Sequence, residues 1–361
     1  SDPEPGAGAW ALTPPGPRSV PWTHRTRPVI AEPPVSRPET CTECGFDASH
    51  WSRQDAIRTI EKAGWLTGLA VERLPGDMWL TRVDQSNGAV GDHVADLAGV
   101  VMSHRHVAET LVEAPGTDLG GISDPPASPE VPSLNSVATL ERLDGQARRF
   151  GSVLRSVDDE QWRHTVTAGT EVLSLEWIVR KGAHEVMHHL ADIARLRHRL
   201  GDVVQPVTGM VASLHASEGG VPKPSIPRAD IDAGGVIGDT QAARQYHGRP
   251  WQALCLWSVE VVEAWAAEGH PIFPGAAGEN LSIAGLDWAT MRSGLIIEVG
   301  EMSARISAPA VPCAKNSRWF TDGDQQRLGH DVSPGRARWY AAVLTPGSIR
   351  PGDVVVVRSS A

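Results

Sequence analysis

Apolar positions recur at helical spacing from Ser52 onward: Ile57, Ile60, Leu66, Leu69 and Leu74 share one face until Pro75-Gly76 ends the run, and Ser52 stands where a cap belongs. A second helical period runs from about Gly88 through Val90, Val94, Leu97 and Val101 to Leu111. A third spans about Ser136 to Val157 and a fourth about Ser174 to Leu200, with a Pro/Gly/Ser-rich connection from Ala114 to Ser133 before the third. Four amphipathic helices imply a bundle. After Gly201-Asp202 the grammar changes to short β-rich runs punctuated by glycine, among them "LIIEVG", "ARISAPAV" and "DVVVVRS", with one amphipathic helix at about Ser258 to Glu268. The pattern predicts an α plus β multidomain chain: a helical bundle over 39–201, a linker over 202–209 and a β-barrel or sandwich over 210–358. Residues 1–38 hold repeated Pro and Gly, few aliphatic side chains and no period, which predicts a disordered leader.

Composition narrows the function. The formal net charge of −10 over 361 residues, with no long run of one sign, argues against a nucleic-acid surface and for a protein that handles small molecules. No segment approaches the apolar length of a membrane span, and no secretory signal pattern opens the chain, so a cytoplasmic protein with no membrane partner is expected. The cysteines Cys41, Cys44, Cys255 and Cys313 are too sparse for a disulfide framework and read as reduced thiols. Cys41-Thr42-Glu43-Cys44 has the spacing of half a zinc site or of a redox pair, but no second ligand pair follows at the usual spacing, so it reads as structural or incidental. Cys255, inside the apolar run "WQALCLW", reads as a small core residue.

The densest chemistry lies in "AHEVMHHLADI", Ala183 to Ile193. On a helical wheel of about 100° per residue, Ile178, Val179, Val186, Leu190, Ile193 and Leu196 define the core direction. Glu185 and His189 then stand at or near the margin of the apolar arc, one turn apart, while His184 and His188 point the other way, beside Lys181 and Arg195. A pair at i, i+4 can grip one ion, and His93 in "GDHVADL" is partly inward on the second helix, where it can face the fourth. The same three residues could equally be an internal hydrogen-bonded pair and a core histidine. In the second half, Cys313 follows a β-run in "SAPAVPCAKNSRWF", close to Lys315 and Arg318, cations that favour a thiolate able to act as nucleophile or soft metal ligand.

Residues 41–200, with "CTECGFD", "DHVADL" and "HEVMHHLADI", resemble the DinB-like bundles, a group that includes mycothiol-dependent maleylpyruvate isomerases. The resemblance implies a divalent metal (zinc, nickel or iron) held by His93, Glu185 and His189, with His184 and His188 as the alternative pair in relatives that use His-x-x-x-His. Residues 210–358, with "DIDAGGVIGDTQ", "YHGRPWQALCLW", "GAAGENLSIAGLDW", "APAVPCAKNSRWF" and "GRARWYAAVLTPGSIRPGDVVVV", resemble a MOSC domain. That implies a β-barrel in which Cys313 binds molybdenum or carries sulfur. Gly278, Glu279 and Asn280 would form a loop beside the cysteine, Gly335 and Arg336 the distal wall, and Lys315 and Arg318 would be part of a molybdopterin site. His247 and Asp239 would handle protons.

Three functions follow. The first is a molybdopterin oxidoreductase acting on N-hydroxylated or related small molecules. The second is a metal- and thiol-dependent transferase or sulfur-transfer enzyme using a low-molecular-weight thiol. The third is a sulfur or cofactor carrier. Each leaves room for a redox or sulfur-donor partner protein, and none calls for nucleic acid.

Overall fold

A computed structural model describes residues 39–84, 88–120, 135–168, 171–244 and 246–360, so the expected leader lies outside the described residues. The chain enters through a short hairpin, β1 (Thr40–Cys41) and β2 (Phe46–Asp47), then forms α1 (Arg53–Glu61), α2 (Ala63–Ala70), α3 (Val90–Glu113) and α4 (Ser136–Ser156). A second hairpin, β3 (Thr165–Ala168) and β4 (Glu171–Ser174), leads into α5 (Leu175–Arg199). Caps fix the helix starts. Ser52 and Asp55 form a reciprocal capping box on α1, Asn135 receives the Val137 and Ala138 amides of α4, and Ser174 receives the Trp177 amide of α5. Such caps contribute about 1 kcal/mol each. The expected first helix is broken at Lys62, where the backbone leaves helical angles. Its apolar period crosses the break unchanged, which is why one helix was the natural reading.

The second half is a closed barrel of seven strands. They are β5 (Val207–His215), β9 (Leu254–Ser258), β10 (Leu281–Ala284), β11 (Ile296–Val299), β12 (Met302–Pro309), β13 (Trp339–Thr345) and β15 (Val354–Arg358). The order is β5-β10-β9-β13-β12-β11-β15, and β15 pairs back onto β5. Only β9–β10 is parallel. Of the shorter strands, β6 (Ser225–Ile226) extends β5, while β7 (Ala229–Asp232), β8 (Gly235–Val236) and β14 (Gly347–Ile349) form a side sheet. One helix, α6 (Val259–Ala267), follows β9.

Strand alternation decides how the two halves meet. On β9 and β13, Leu254, Leu256, Trp339 and Ala341 fill the barrel interior, whereas Cys255 and Tyr340, paired in register, point outward. That outer face is not solvated: Cys255, Tyr340, Ala308, Ala310 and Trp251 join the apolar core of the bundle. Trp251 donates to Thr59 Oγ1 of α1 at 3.0 Å and stands 6.3 Å from the Trp65 ring of α2. His330 pairs with Glu72 at 2.9 Å, and buried Arg305 of β12 donates to the Cys44 carbonyl at 2.9 Å. Among the described residues no helix is long and apolar enough to cross a membrane.

Candidate functional site

One end of the covered barrel face opens into a cavity of about 380 Å³, within the range typical of small-molecule sites. Its lining includes Cys313, Lys315, Lys223, His247, Arg338 and Tyr340, so a thiol, three cations, an imidazole and a phenol converge on one space. Cys313 is partly exposed at the start of a short 3₁₀ turn, whereas Cys255, also on the wall, is buried and burial pushes its thiol up. His247 Nδ1 stands 3.1 Å from the Tyr340 hydroxyl. Burial first, then the charges of Arg338 and Arg249, pull the His247 imidazole below its ordinary value, leaving it neutral and able to accept a proton near pH 7. Gly278 also lines the cavity with φ +92°, and a Cβ there would lie 2.8 Å from Val221 Cγ1, so the loop holds this path only as glycine.

The other residues of the barrel motifs divide between support and surface. Asp239 does not line the cavity but clamps it: its carboxylate holds Lys223 Nζ at 2.6 Å and accepts from Asn280 Nδ2 at 3.0 Å. Asn280, on the wall, is spent on the backbone, accepting from the Cys255 amide and donating to the His215 carbonyl. Glu279 is fully buried and accepts from the Gly275 amide at 2.5 Å, fixing the loop from behind. Arg318 points away, its guanidinium on the Val221 carbonyl and over the Trp319 ring. Arg336 lies over Trp265 and pairs with Glu268 at 2.7 Å, and Gly335 packs against Ala289, so neither is on the cavity wall. The cation from this segment that reaches the cavity is Arg338, two residues on, buried and anchored on the Ala277 carbonyl. Arg336 lies in a turn, next to Gly335 at φ +80°, whereas Arg338 leads directly into β13.

In the bundle, His93 of α3 and His189 of α5 do come together, their ring centres 5.6 Å apart. The carboxylate beside them is Asp192, whose Oδ2 lies 3.8 Å from His93 Nδ1, and the three residues offer donor atoms within 4.8 Å of one another. Glu185, the carboxylate implied by the DinB resemblance, is not in this set; it pairs with Lys181 at 2.7 Å, while Asp192 pairs with Arg195 through its other oxygen. His93 Nδ1 and His189 Nδ1 are buried without hydrogen-bond partners. Burial lowers both imidazoles, His189 to about 4, so both are neutral, the form a metal needs. Two orphaned ring nitrogens facing one carboxylate are a donor set that suits a divalent first-row ion.

His184 and His188, also on α5, correct the wheel. His184 is buried, its ring stacked on Phe46 of β2 and its Nδ1 2.6 Å from Glu39 Oε1, and His188 Nδ1 lies 3.5 Å from Cys41 Sγ. The entering hairpin covers the side of α5 that the wheel assigned to water. A single apolar arc cannot reveal a second covering element, and the only sequence signal was polar: Cys-x-x-Cys in one place and His-x-x-x-His in another.

Comparison with known proteins agrees with this division. The MOSC domain profile matches residues 243–356 and that of the DinB superfamily matches 69–193. The helical segment is thus similar to the DinB superfamily and the barrel segment to the MOSC domain. Protein YiiM of Escherichia coli (strain K12) is 34% identical over 119 residues, 32% of this chain and 52% of that protein. The uncharacterized protein YflK of Bacillus subtilis (strain 168) is 31% identical over 116 residues, with the same shares. The chain therefore spans about half the length of the curated relatives it matches. Among solved structures, YiiM from Escherichia coli is 23% identical with a TM-score of 0.33, covering 42% of this chain and 71% of that one. YfiT from Bacillus subtilis, described as a probable metal-dependent hydrolase with an unusual four-helix bundle topology, is 20% identical with a TM-score of 0.37, covering 41% and 87%.

Proposed function

We propose that this chain is a cytoplasmic two-domain enzyme whose barrel cavity binds a molybdopterin-type cofactor and reduces N-hydroxylated or related small molecules. The observation that carries this reading is the meeting of the Cys313 thiol with Lys223, Lys315 and Arg338 in one cavity. A pterin phosphate needs cations or backbone donors, and a soft metal takes a cysteine sulfur; this cavity offers the cations and the cysteine. When bound, the molybdenum centre would supply two-electron chemistry. The protein's own contribution is to bind and to move protons. Lys223, fixed by Asp239, and Arg338, fixed by the Ala277 carbonyl, would hold the anionic group. His247, in contact with Tyr340 OH, would relay protons into the cavity, accepting one before passing it on.

The test is elemental analysis for molybdenum and pterin fluorescence of the denatured protein, on wild type and Cys313→Ser. Serine is a poor soft-metal ligand, so the variant should fold but lose molybdenum and activity. In cofactor-free protein, alkylation should label Cys313 well before buried Cys255, and bound cofactor should protect it. Full molybdenum content and activity in Cys313→Ser would sink the reading. A second reading is favoured by the His93, His189 and Asp192 set: a divalent metal there would lower the pKa of a low-molecular-weight thiol for transfer or sulfur chemistry, with a redox or sulfur-donor protein as partner. A first-row metal without pterin would select it.

A further inference from the structure

We propose that Cys41, Cys44, His184 and His188 form a closed tetrahedral zinc site that fastens the N-terminal hairpin to α5 beside the barrel. The four residues offer two sulfurs and two ring nitrogens whose donor atoms all lie within 4.8 Å of one another. Tetrahedral zinc with S and N ligands needs separations of about 3.3–3.8 Å, so the set would contract by roughly an ångström or less. Cys41 Sγ and His188 Nδ1, at 3.5 Å, already satisfy that spacing.

Each ligand is preset by its surroundings. Glu39 holds His184 Nδ1 at 2.6 Å and is itself held by Lys181 at 2.9 Å, which leaves His184 Nε2 as the coordinating atom. That nitrogen is buried and has no hydrogen-bond partner. His188 is set the other way round: its Nε2 faces Asp192 at 3.4 Å and Glu43 at 3.6 Å, freeing Nδ1 for the ion. Carboxylates behind ligating imidazoles are the usual outer shell of a zinc site. The cysteines sit at the two ends of a tight turn in which Gly45, at φ +77°, donates to the Cys41 carbonyl at 2.9 Å. A Cβ on Gly45 would also lie 2.9 Å from Leu344 Cδ2. Arg305 then secures the Cys44 carbonyl from the barrel side.

Zinc would bind two thiolates and two neutral imidazoles, a neutral set, and would release the protons that thiols and imidazolium ions carry. A redox role for Cys41 and Cys44 is the competing chemistry, but a disulfide makes no use of the orphaned His184 Nε2 or of the two carboxylates behind the rings.

The full chain, stripped of metal by chelation under reducing conditions, should be titrated with cobalt(II), then zinc. Cobalt in this site should give a thiolate-to-metal charge-transfer band in the near ultraviolet and tetrahedral visible bands, both removed by one equivalent of zinc. The band distinguishes this site from the one at His93, His189 and Asp192, which has no sulfur, so the double variant His93→Ala/His189→Ala should retain it. Cys44→Ser should abolish or strongly reduce it. If that variant does not fold, the less buried Cys41→Ser should do the same, and His188→Ala should weaken cobalt affinity by at least about 10-fold. In zinc-loaded wild type two fewer thiols should react with a thiol reagent than after chelation. A folded wild type with no charge-transfer band, a band indifferent to both cysteine changes, or a Cys41–Cys44 disulfide that forms with zinc present would each overturn the site.

Discussion

Two faces of α5 carry histidines into two different surroundings, and the contrast separates what holds the molecule together from what can act on a ligand. His184 and His188 meet two thiols under a covering hairpin, with every ligand accounted for inside the chain. His189 meets His93 and one carboxylate in a half-buried groove, three donors in all. Four-ligand sets saturate an ion and serve structure, while three-ligand sets leave a position for water or substrate. Asp192 joins them, standing behind His188 at 3.4 Å and beside His93 at 3.8 Å. The two proposed sets would therefore assign chemistry in the bundle to the N/O side and stability to the sulfur side.

The largest expected effect tests whether the closed side lies in a shared core. Trp251 is buried between Trp65 and Tyr340 and donates to Thr59, so Trp251→Ala should cost about 3–5 kcal/mol by denaturant unfolding. The sequence pattern favours two halves that fold apart when cut near residue 205, and the tryptophan links them. A single transition in wild type that splits into two in Trp251→Ala would mean the barrel and bundle are coupled through this contact. A loss below about 1 kcal/mol would mean the closed face is fastened by the hairpin alone.

Next in size is a pH effect from a histidine that belongs to neither set. His104 of α3 is half-buried, with its Nδ1 buried and unpartnered, and desolvation pushes its imidazole down to about 4. The unfolded chain protonates it near 6.5, so between those values the unfolded state binds the extra proton. Its contribution is fully present above pH 6.5 and is lost as pH falls toward 4, a decline of roughly 3 kcal/mol. His104→Leu should flatten that limb of the stability curve. An unchanged slope would place the acid sensitivity elsewhere.

Much of this was legible beforehand. The helices of 90–113, 136–156 and 175–199 and the strands of β11, β12 and β15 follow directly from apolar period, because each buries one face whose apolar positions repeat within the element itself. The cavity thiol and its neighbours Lys315 and Asn280 were legible too, because the barrel motifs are contiguous. What stayed hidden depends on distant pairing. The separation of 147 positions between Cys41 and His188 erases any spacing signal, and the hairpin that buries His184 packs on a face that one apolar arc leaves unassigned. Arg336 and Arg338 look equivalent in sequence, and the turn that holds Arg336, which the apolar pattern does not show, decides that Arg338 is the one on the cavity wall.

Smaller again is the effect expected at Asp192. Asp192→Asn keeps the shape but removes the charge beside two neutral imidazoles, and should weaken divalent metal binding at the open set by about 10–100-fold in isothermal titration. The cobalt charge-transfer band of the closed set should persist. Loss of both together would make the two sets one cooperative cluster joined through Asp192.

The smallest effect is expected at Glu185, and it decides the ligand set. The DinB resemblance implies Glu185 as the carboxylate ligand, one helical turn before His189, whereas in the fold Lys181 holds its carboxylate at 2.7 Å and Asp192 stands beside His93. Glu185→Gln removes an i, i+4 ion pair worth about 0.3–0.5 kcal/mol, and nothing that faces His93. Divalent metal affinity in this variant should stay within about 2-fold of wild type, a small fraction of the Asp192→Asn loss. The comparison is informative because the two changes are chemically alike, each a carboxylate made into an amide on the same helix. If Glu185→Gln is the more damaging, metal binding draws Glu185 away from Lys181, and the open side of α5 is rebuilt around its ion rather than waiting for it.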